Sequence, residues 1–385
     1  MGRTALNLAV IGAGPVGLAL AVQAASALPQ ARITVFEARR ADHDVAADPR
    51  TLALSLGSVQ VLKRLIAWPA VQPILAVHVS QQAPSLANGT VQIRAADEGV
   101  PLLGAVARYG QVLAPLQQAW LDAVAKEPER LRMRFDAPVA ALKSIDGGVE
   151  VDAGIAETFD LAVVAEGGVF AAQARKAVVH DYRQTAWVGQ VGLEGATPGM
   201  AFERFTPHGP AALLPLGPER AALVWCVNGD DDPVRPLSDA QRLAVLQGLF
   251  PAEAGRIVSL TPLKDFALGL NAERTLVDGR RVRIGNAAQT LHPVAGQGLN
   301  LGLRDAHALV AALRSADDID RALRRVEWTR APDRWSTIAT TDFLARSFTW
   351  KLPGAAGLRG AALAALEALP PAKRWLARQM MFGLR

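Results

Sequence analysis

The stretch that decides the fold is Leu6–Glu37, LNLAVIGAGPVGLALAVQAASALPQARITVFE. Leu6–Ile11 is an apolar run interrupted only by Asn7, the pattern of a parallel strand buried on both faces. Gly12-x-Gly14-x-x-Gly17 follows at once, Leu18–Leu28 reads as a helix that Pro29 ends, and Ile33–Phe36 is a second short strand closed by Glu37. Together these make one βαβ unit of the dinucleotide-binding kind. Gly12 permits the tight turn, Gly14 lets the backbone approach a pyrophosphate, and Gly17 lets the helix lie close to the strand. The helix N-terminus offers unpaired N–H groups and the positive end of a dipole to phosphates. Glu37 can accept a hydrogen bond from a ribose 2′-hydroxyl and disfavours a 2′-phosphate, so FAD or NAD is expected rather than NADP.

The glycines also decide against a membrane span or a secretory leader at this end, since three of them and Pro15 interrupt the apolar run. The 385 residues, half of them apolar and a fifth charged, suit two to three globular domains with a sizeable core and exclude global disorder. A single cysteine, Cys226, leaves no intrachain disulfide and points to a reducing compartment. The six histidines lack zinc spacing, so no metal is expected. A net charge of +5 without a dense basic run argues against nucleic acid.

After the first unit, Asp48-Pro49-Arg50 is expected to open a helix running to Trp68, with Arg50 as a candidate phosphate or flavin contact. Residues 74–108 alternate like strands, and Arg108-Tyr109-Gly110-Gln111 opens a helix to about Val124. Leu131–Phe135, Ala140–Ile145 and Val149–Val151 read as a small antiparallel set, and Phe159–Ala165 as a buried strand. From Trp187 to Leu270 the pattern is mostly strands, with one helix at Ser238–Leu249: a β-rich layer expected to face the substrate. Trp187, Phe202, Phe205, Leu213 and Trp225 are its candidate lining residues, while His180, His208 and Tyr182 read as structural.

A second glycine site begins where the short strand Arg281–Ile284 runs into Gly285-Asn286-Ala287 and continues through His292-Pro293-Val294-Ala295-Gly296-Gln297-Gly298-Leu299-Asn300. The helix after it is expected over Leu301–Leu313. Backbone N–H groups at such a helix start can stabilise negative charge on a reduced flavin. Two anion-binding turns on one chain favour FAD over a lone NAD. Gly298 is expected in crowded space, so that a side chain there would clash.

Gly285–Asp305 resembles the flavin-loop signature of the ubiquinone-biosynthesis hydroxylases, in particular the 2-polyprenyl-6-methoxyphenol hydroxylase branch, within the flavin aromatic hydroxylases of para-hydroxybenzoate hydroxylase fold. Asp48–Ser55 resembles the DxRxxALS motif of that family, and Tyr109-Gly110-Gln111 the YGQ before a helix. The resemblance covers roughly residues 5–345. Two departures stand out. Asn286 replaces the Asp of the wider fold, and Glu166-Gly167 stands for the usual Asp-Gly with Ala171–Arg175 out of register.

The resemblance implies an α/β fold: a Rossmann-like FAD-binding domain with a β-sheet substrate domain and C-terminal helices. FAD-binding segments are expected at 1–75, 103–180 and 271–345, substrate-domain segments at 76–102 and 181–270, and a helical segment at 346–385. Gly12, Gly14 and Gly17 would hold the pyrophosphate and Glu37 the adenosine ribose. Arg50, Gln111 and Asn286 would touch the cofactor, and Gly296, Gln297, Gly298 and Asn300, approached through Pro293, would line the isoalloxazine. The implied activity is NAD(P)H- and O2-dependent hydroxylation of a polyprenylated phenol in ubiquinone biosynthesis, through a flavin C4a-hydroperoxide, with no catalytic base named. The alternatives are a hydroxylase of a small soluble aromatic acid, which would call on Arg204 to pair the carboxylate, and a non-catalytic FAD-binding assembly subunit. The expected location is cytoplasmic or peripheral at the inner membrane, within reach of a ubiquinone-biosynthesis complex. The basic, apolar stretch 361–385 is the candidate membrane contact, with a helix packed on the FAD domain as the alternative.

Overall fold

A computed structural model describes residues 5–83, 89–166, 178–347 and 354–384. Gly167, Gly168 and Ala171–Arg175 lie outside them. Eight helices occur among the described residues: α1 Pro15–Ala27, α2 Leu56–Lys63, α3 Tyr109–Lys126, α4 Asp239–Leu249, α5 Gln297–Ser315, α6 Ile319–Ser347, α7 Ala355–Ala368 and α8 Pro370–Phe382.

The strand Asn7–Ile11 lies at the centre of a six-stranded sheet, parallel to Arg32–Phe36 on one side and to Leu161–Val164 on the other. Its apolar run is explained by burial on both faces. Leu8 and Val10 pack under the helices with Leu18, Leu113 and Leu309. Ala9 and Ile11 pack against Val149, Val151 and Phe159 of a three-stranded antiparallel sheet, residues 141–159. Leu131–Arg134 does not join that antiparallel set as expected. It extends the parallel sheet beside Arg32–Phe36, with Leu131 in the helix-covered core.

The helix expected from Asp48 is also corrected. Thr51–Ser55 is a strand paired antiparallel with Gly104–Arg108, and α2 starts only at Leu56, with Ser55 Oγ accepting from Ser58 N–H as its cap. Asp48 instead receives the N–H of Arg50, a local turn that competes with helix. A β partner fifty residues away then outweighs the local pattern.

The substrate-side layer is a nine-stranded sheet among the described residues. Its long strand Val178–Glu194 pairs with Lys264–Ala272 and with Arg220–Asn228, and Pro210–Pro215, Met200–Phe205, Ala76–Gln81 and Thr90–Arg94 follow in order. The expected strand Ile257–Phe266 is in fact two, Arg256–Leu260 and Lys264–Ala272. One face of the sheet is sealed by α4, which starts at Ser238 with a reciprocal cap from Gln241. Trp187, Phe202, Leu213 and Trp225 all pack there with Leu246 and Leu249. Four of the five expected lining residues therefore belong to a closed core on the side of α4.

Candidate flavin site

The first glycine turn is built as its spacing requires. Gly12 has φ +99°, and a Cβ there would come within 2.8 Å of Glu166 Cβ. A Cβ on Gly17 would lie 2.0 Å from the Gly12 carbonyl oxygen. Gly14 is different. Its backbone is extended, and the nearest atom to an added Cβ is the Tyr109 hydroxyl at an ordinary 3.5 Å. Nothing in the protein requires glycine at 14, and α1 begins there with no side-chain cap on its free N–H groups. An extended position open to a side chain, at an uncapped helix start, fits a phosphate group lying against the backbone.

Glu37 is buried at the end of its strand. It accepts from Ala13 N–H at 2.8 Å, from Arg39 N–H at 2.9 Å and from the Arg39 guanidinium at 2.8 Å. Burial would raise its carboxyl, but Arg39 and the two backbone donors outweigh that and hold it below the usual carboxylate range. Three of its roughly four acceptor positions are used, which leaves one for a sugar hydroxyl. Arg39 carried no motif signal in the sequence. Glu166 behaves in the opposite way: burial first, and then the charge of Glu37, push its carboxyl up.

The second turn meets the first through glycines. A Cβ on Gly302 of α5 would lie 2.7 Å from Gly285 Cα and 2.9 Å from Val16 Cγ2 of α1. Two turns, with Gly12 and Gly285 273 residues apart, are thus held together where α1 crosses α5. Helix α5 begins at Gln297, four residues earlier than expected, with Gly296 as its N-cap at φ +58°. Gly298 therefore stands in the first helical turn. A Cβ there meets nothing within 4 Å, so the expected crowding does not come from the protein. Gln297 is buried, its amide 3.9 Å from the Met380 sulfur on α8. Asn300 is a strap: it accepts from Ser55 N–H at 2.8 Å and donates to the carbonyls of Ala53 and Gly296. Asn286 is exposed beside Gly285. Pro293 precedes a 3-10 turn, Val294–Gly296.

His292, which sequence reasoning passed over, is the buried anchor of this loop. Its Nδ1 accepts from Val294 N–H at 3.1 Å, so its Nε2–H donates to Gln184 Oε1 at 2.9 Å. Burial lowers its pKa to about 4, which keeps the ring neutral and this tautomer in place. The loop is thereby tied to the long sheet strand.

Arg50 is held by Asp48 at 2.7 Å and lies 4.1 Å above the Tyr109 ring, the residue nearest to Gly14. This brings Arg50 to the first turn. Gln111 is directed elsewhere: it caps α3 by accepting from Arg108 N–H and donates to the Ala70 carbonyl. It borders a cavity of about 310 Å³ together with Gln72, Arg108, Gln190 and Arg220.

Behind α5 lies a buried charge network with no motif signal beyond Arg304-Asp305. Arg330 bridges Asp305 and Asp333, each at 2.7 Å, and Arg304 holds Asp333 at 2.8 Å. The chain end joins it, with Leu384 N–H donating to Asp333. Helix α8 buries Ala377 and Met381 against Leu56 and Val106, the packed alternative for this segment, while Trp375 on its other side is 59% exposed.

Residues 165–347 match the FAD binding domain family. Over 391 residues the chain is 31% identical to 3-demethoxyubiquinol 3-hydroxylase of Escherichia coli, covering 96% of each. It is 37% identical to ubiquinone hydroxylase UbiL of Rhodospirillum rubrum over 211 residues, 53% of this chain and 49% of that protein. Among solved structures, HpxO of Klebsiella pneumoniae complexed with FAD and uric acid superposes with TM-score 0.74 at 16% identity, covering 98% and 97%. The p-nitrophenol 4-monooxygenase PnpA of Pseudomonas putida gives 0.73 at 15%, covering all of both chains. At these identities the structural matches establish the fold.

Proposed function

Since the chain belongs to the FAD-dependent hydroxylases of ubiquinone biosynthesis, we propose that it hydroxylates a polyprenylated phenol, with NAD(P)H as reductant and O2 as oxygen source. Bound FAD supplies the activation of dioxygen and the delivery of one oxygen atom to the ring. The chain's own residues bind, orient and seal. N–H groups at the start of α1 take the pyrophosphate past Gly14, Glu37 takes the adenosine ribose, and Arg50 lies beside the phosphates. The start of α5, Gly296–Gly298, presents its N–H groups to the isoalloxazine, on a loop that Asn300 and His292 fix in place. Asn286 borders the cofactor from the turn after Arg283, while Gln111 caps α3 and lines the neighbouring cavity.

The observation that supports a phenol over an aromatic acid is the direction of Arg204. It shares a sheet face with Phe202, on the α4 side. The face turned to the flavin loop carries Glu203, Ala212, Val224 and Val188 in its central row, and among the described residues no arginine stands in that row to pair a carboxylate. Such a surface suits a neutral ring with an apolar tail. No helix among the described residues is long and apolar enough to cross a membrane. The outer side of α8, with exposed Trp375, Arg374 and Arg378, is proposed to rest on an anionic bilayer from which the tail enters.

The test supplies the FAD-loaded protein with an ortho-prenylphenol, NAD(P)H and labelled dioxygen. One labelled oxygen in the product is expected. Bound FAD with no NAD(P)H-stimulated oxygen uptake, or hydrogen peroxide as the sole product, would overturn the reading in favour of an assembly subunit. Preferred turnover of a soluble aromatic acid would overturn it in favour of the other hydroxylase.

A further inference from the structure

The sheet face turned to the flavin loop carries one feature that the proposed function leaves unused. Strand registers place Val79, Glu203, Ala212, Val224 and Val188 side by side across five strands. Residues directly opposite in a ladder point to the same face, so Glu203 stands in the middle of an apolar row. The neighbouring row, Val77, Ala201, Leu214, Ala222 and Gln190, identifies the face. Ala201 and Leu214 pack with Leu56, Val106 and Met381, and Gln190 borders the cavity shared with Gln111. At the other end of the same face, Gln184 receives His292, the anchor of the flavin loop. Glu203 thus sits between the two contacts that join this sheet to the flavin side.

The carboxyl of Glu203 has no hydrogen bond or ion pair among the described residues, although it is only partly accessible. Burial pushes its pKa up to about 8, and no cation among the described residues opposes it. Cys226 lies on the same face, and its thiol is raised by burial first and then by the charge of Glu203. Arg204, the adjacent residue in sequence, points to the opposite face and gives no relief. An unpaired carboxyl in apolar surroundings is expensive to hold, and such groups mark sites where a partner arrives from outside.

We propose that Glu203 receives the aromatic hydroxyl of the substrate and acts as its base. This assignment rests on the hydroxylase reading above. The proton passes from the phenolic O–H to a Glu203 carboxylate oxygen, the O–H electron pair stays on the substrate oxygen, and Glu203 becomes a carboxylic acid that returns the proton to product or solvent. A phenolate ring is more electron-rich and accepts an electrophilic oxygen atom more readily. Once ionised, the same carboxylate also repels aromatic acids, so above its pKa the residue selects for neutral phenols.

The experiment compares wild type with E203Q, which keeps shape and removes both charge and basicity. FAD content should be equal in the two. Turnover of an ortho-prenylphenol should fall by about 100-fold or more in E203Q, the usual scale for loss of general base catalysis. In wild type, kcat/KM should rise about tenfold per pH unit below the Glu203 pKa and level above it, while E203Q lacks this limb. Equilibrium dialysis gives a readout independent of turnover: E203Q should bind the phenol more weakly and gain affinity for an ortho-prenylbenzoate. Wild type that turns over with E203Q matching it in rate, pH limb and dialysis overturns the assignment of Glu203 alone. Wild type that holds FAD yet oxygenates no prenylphenol overturns the hydroxylase reading, and this inference with it.

Discussion

Gly302→Ala tests whether the contact between α1 and α5 sets the distance between the two flavin turns. The added methyl would start 2.7 Å from Gly285 Cα and 2.9 Å from Val16 Cγ2. Carbon atoms in contact prefer about 3.5–4.0 Å, so one of the three segments must retreat by roughly 1 Å. Two of the neighbours are backbone, which cannot rotate away. Overpacking of this kind costs about 1–3 kcal/mol, and every 1.4 kcal/mol lost from binding is about tenfold in affinity. Gly302→Ala should therefore lower the melting temperature of the FAD-free protein and weaken FAD binding by about 10- to 100-fold, read by calorimetry and by flavin fluorescence titration. Gly298→Ala is the control on the same helix. Its methyl meets no protein atom, and alanine inside a helix is favoured over glycine by about 0.5–1 kcal/mol. The FAD-free form of Gly298→Ala should be slightly more stable than wild type and yet bind FAD less well. A Gly302→Ala protein with unchanged melting and unchanged FAD affinity would refute the argument that this contact fixes the site.

Three further outcomes follow from the same geometry. Gly14→Ala should leave the melting of the FAD-free protein unchanged and weaken retention of the yellow cofactor, because the added methyl meets only the Tyr109 hydroxyl, at an ordinary 3.5 Å. Asp305→Ala strands Arg330 in the interior and should destabilise by about 3–5 kcal/mol in chemical denaturation, as removal of one buried partner does. The raised carboxyl of Glu203 keeps its proton in the folded chain where the unfolded chain has lost it, so the native state loses stability as pH rises from the ordinary carboxylate range through about 8. Glu203→Gln should therefore raise the melting temperature more in alkaline than in mildly acidic buffer, and an equal gain at both would show that the carboxyl is not held neutral.

What the sequence made legible was local. The strand, glycine turn and helix at residues 7–27 follow from neighbouring residues, as does the Ser238 cap of α4. What stayed hidden depended on partners far along the chain. Thr51–Ser55 becomes a strand because Gly104–Arg108 lies beside it, and His292 becomes an anchor because Gln184, 108 residues away, receives it. Alternation along Met200–Phe205 shows that Phe202 and Glu203 face opposite ways, but not which face α4 will cover. Trp187, Phe202 and Trp225 went to the closed core, and the small residues with Glu203 and Phe205 were left facing the flavin loop.

The glycines themselves separate the needs of the fold from those of a ligand. At Gly12, Gly17 and Gly302 a methyl group would strike the chain at 2.0–2.8 Å, so the protein alone accounts for them. At Gly14 and Gly298 the protein leaves room, and the backbone conformation is one that any residue can adopt. Both of these stand at helix starts without a side-chain cap, where N–H groups point outward. On the proposed function, that room at the two uncapped helix starts is where a phosphate beside α1 and a ring beside α5 would approach the backbone. The contact of Gly302 with Gly285 and Val16 holds those two helix starts together, so a single extended cofactor could reach both.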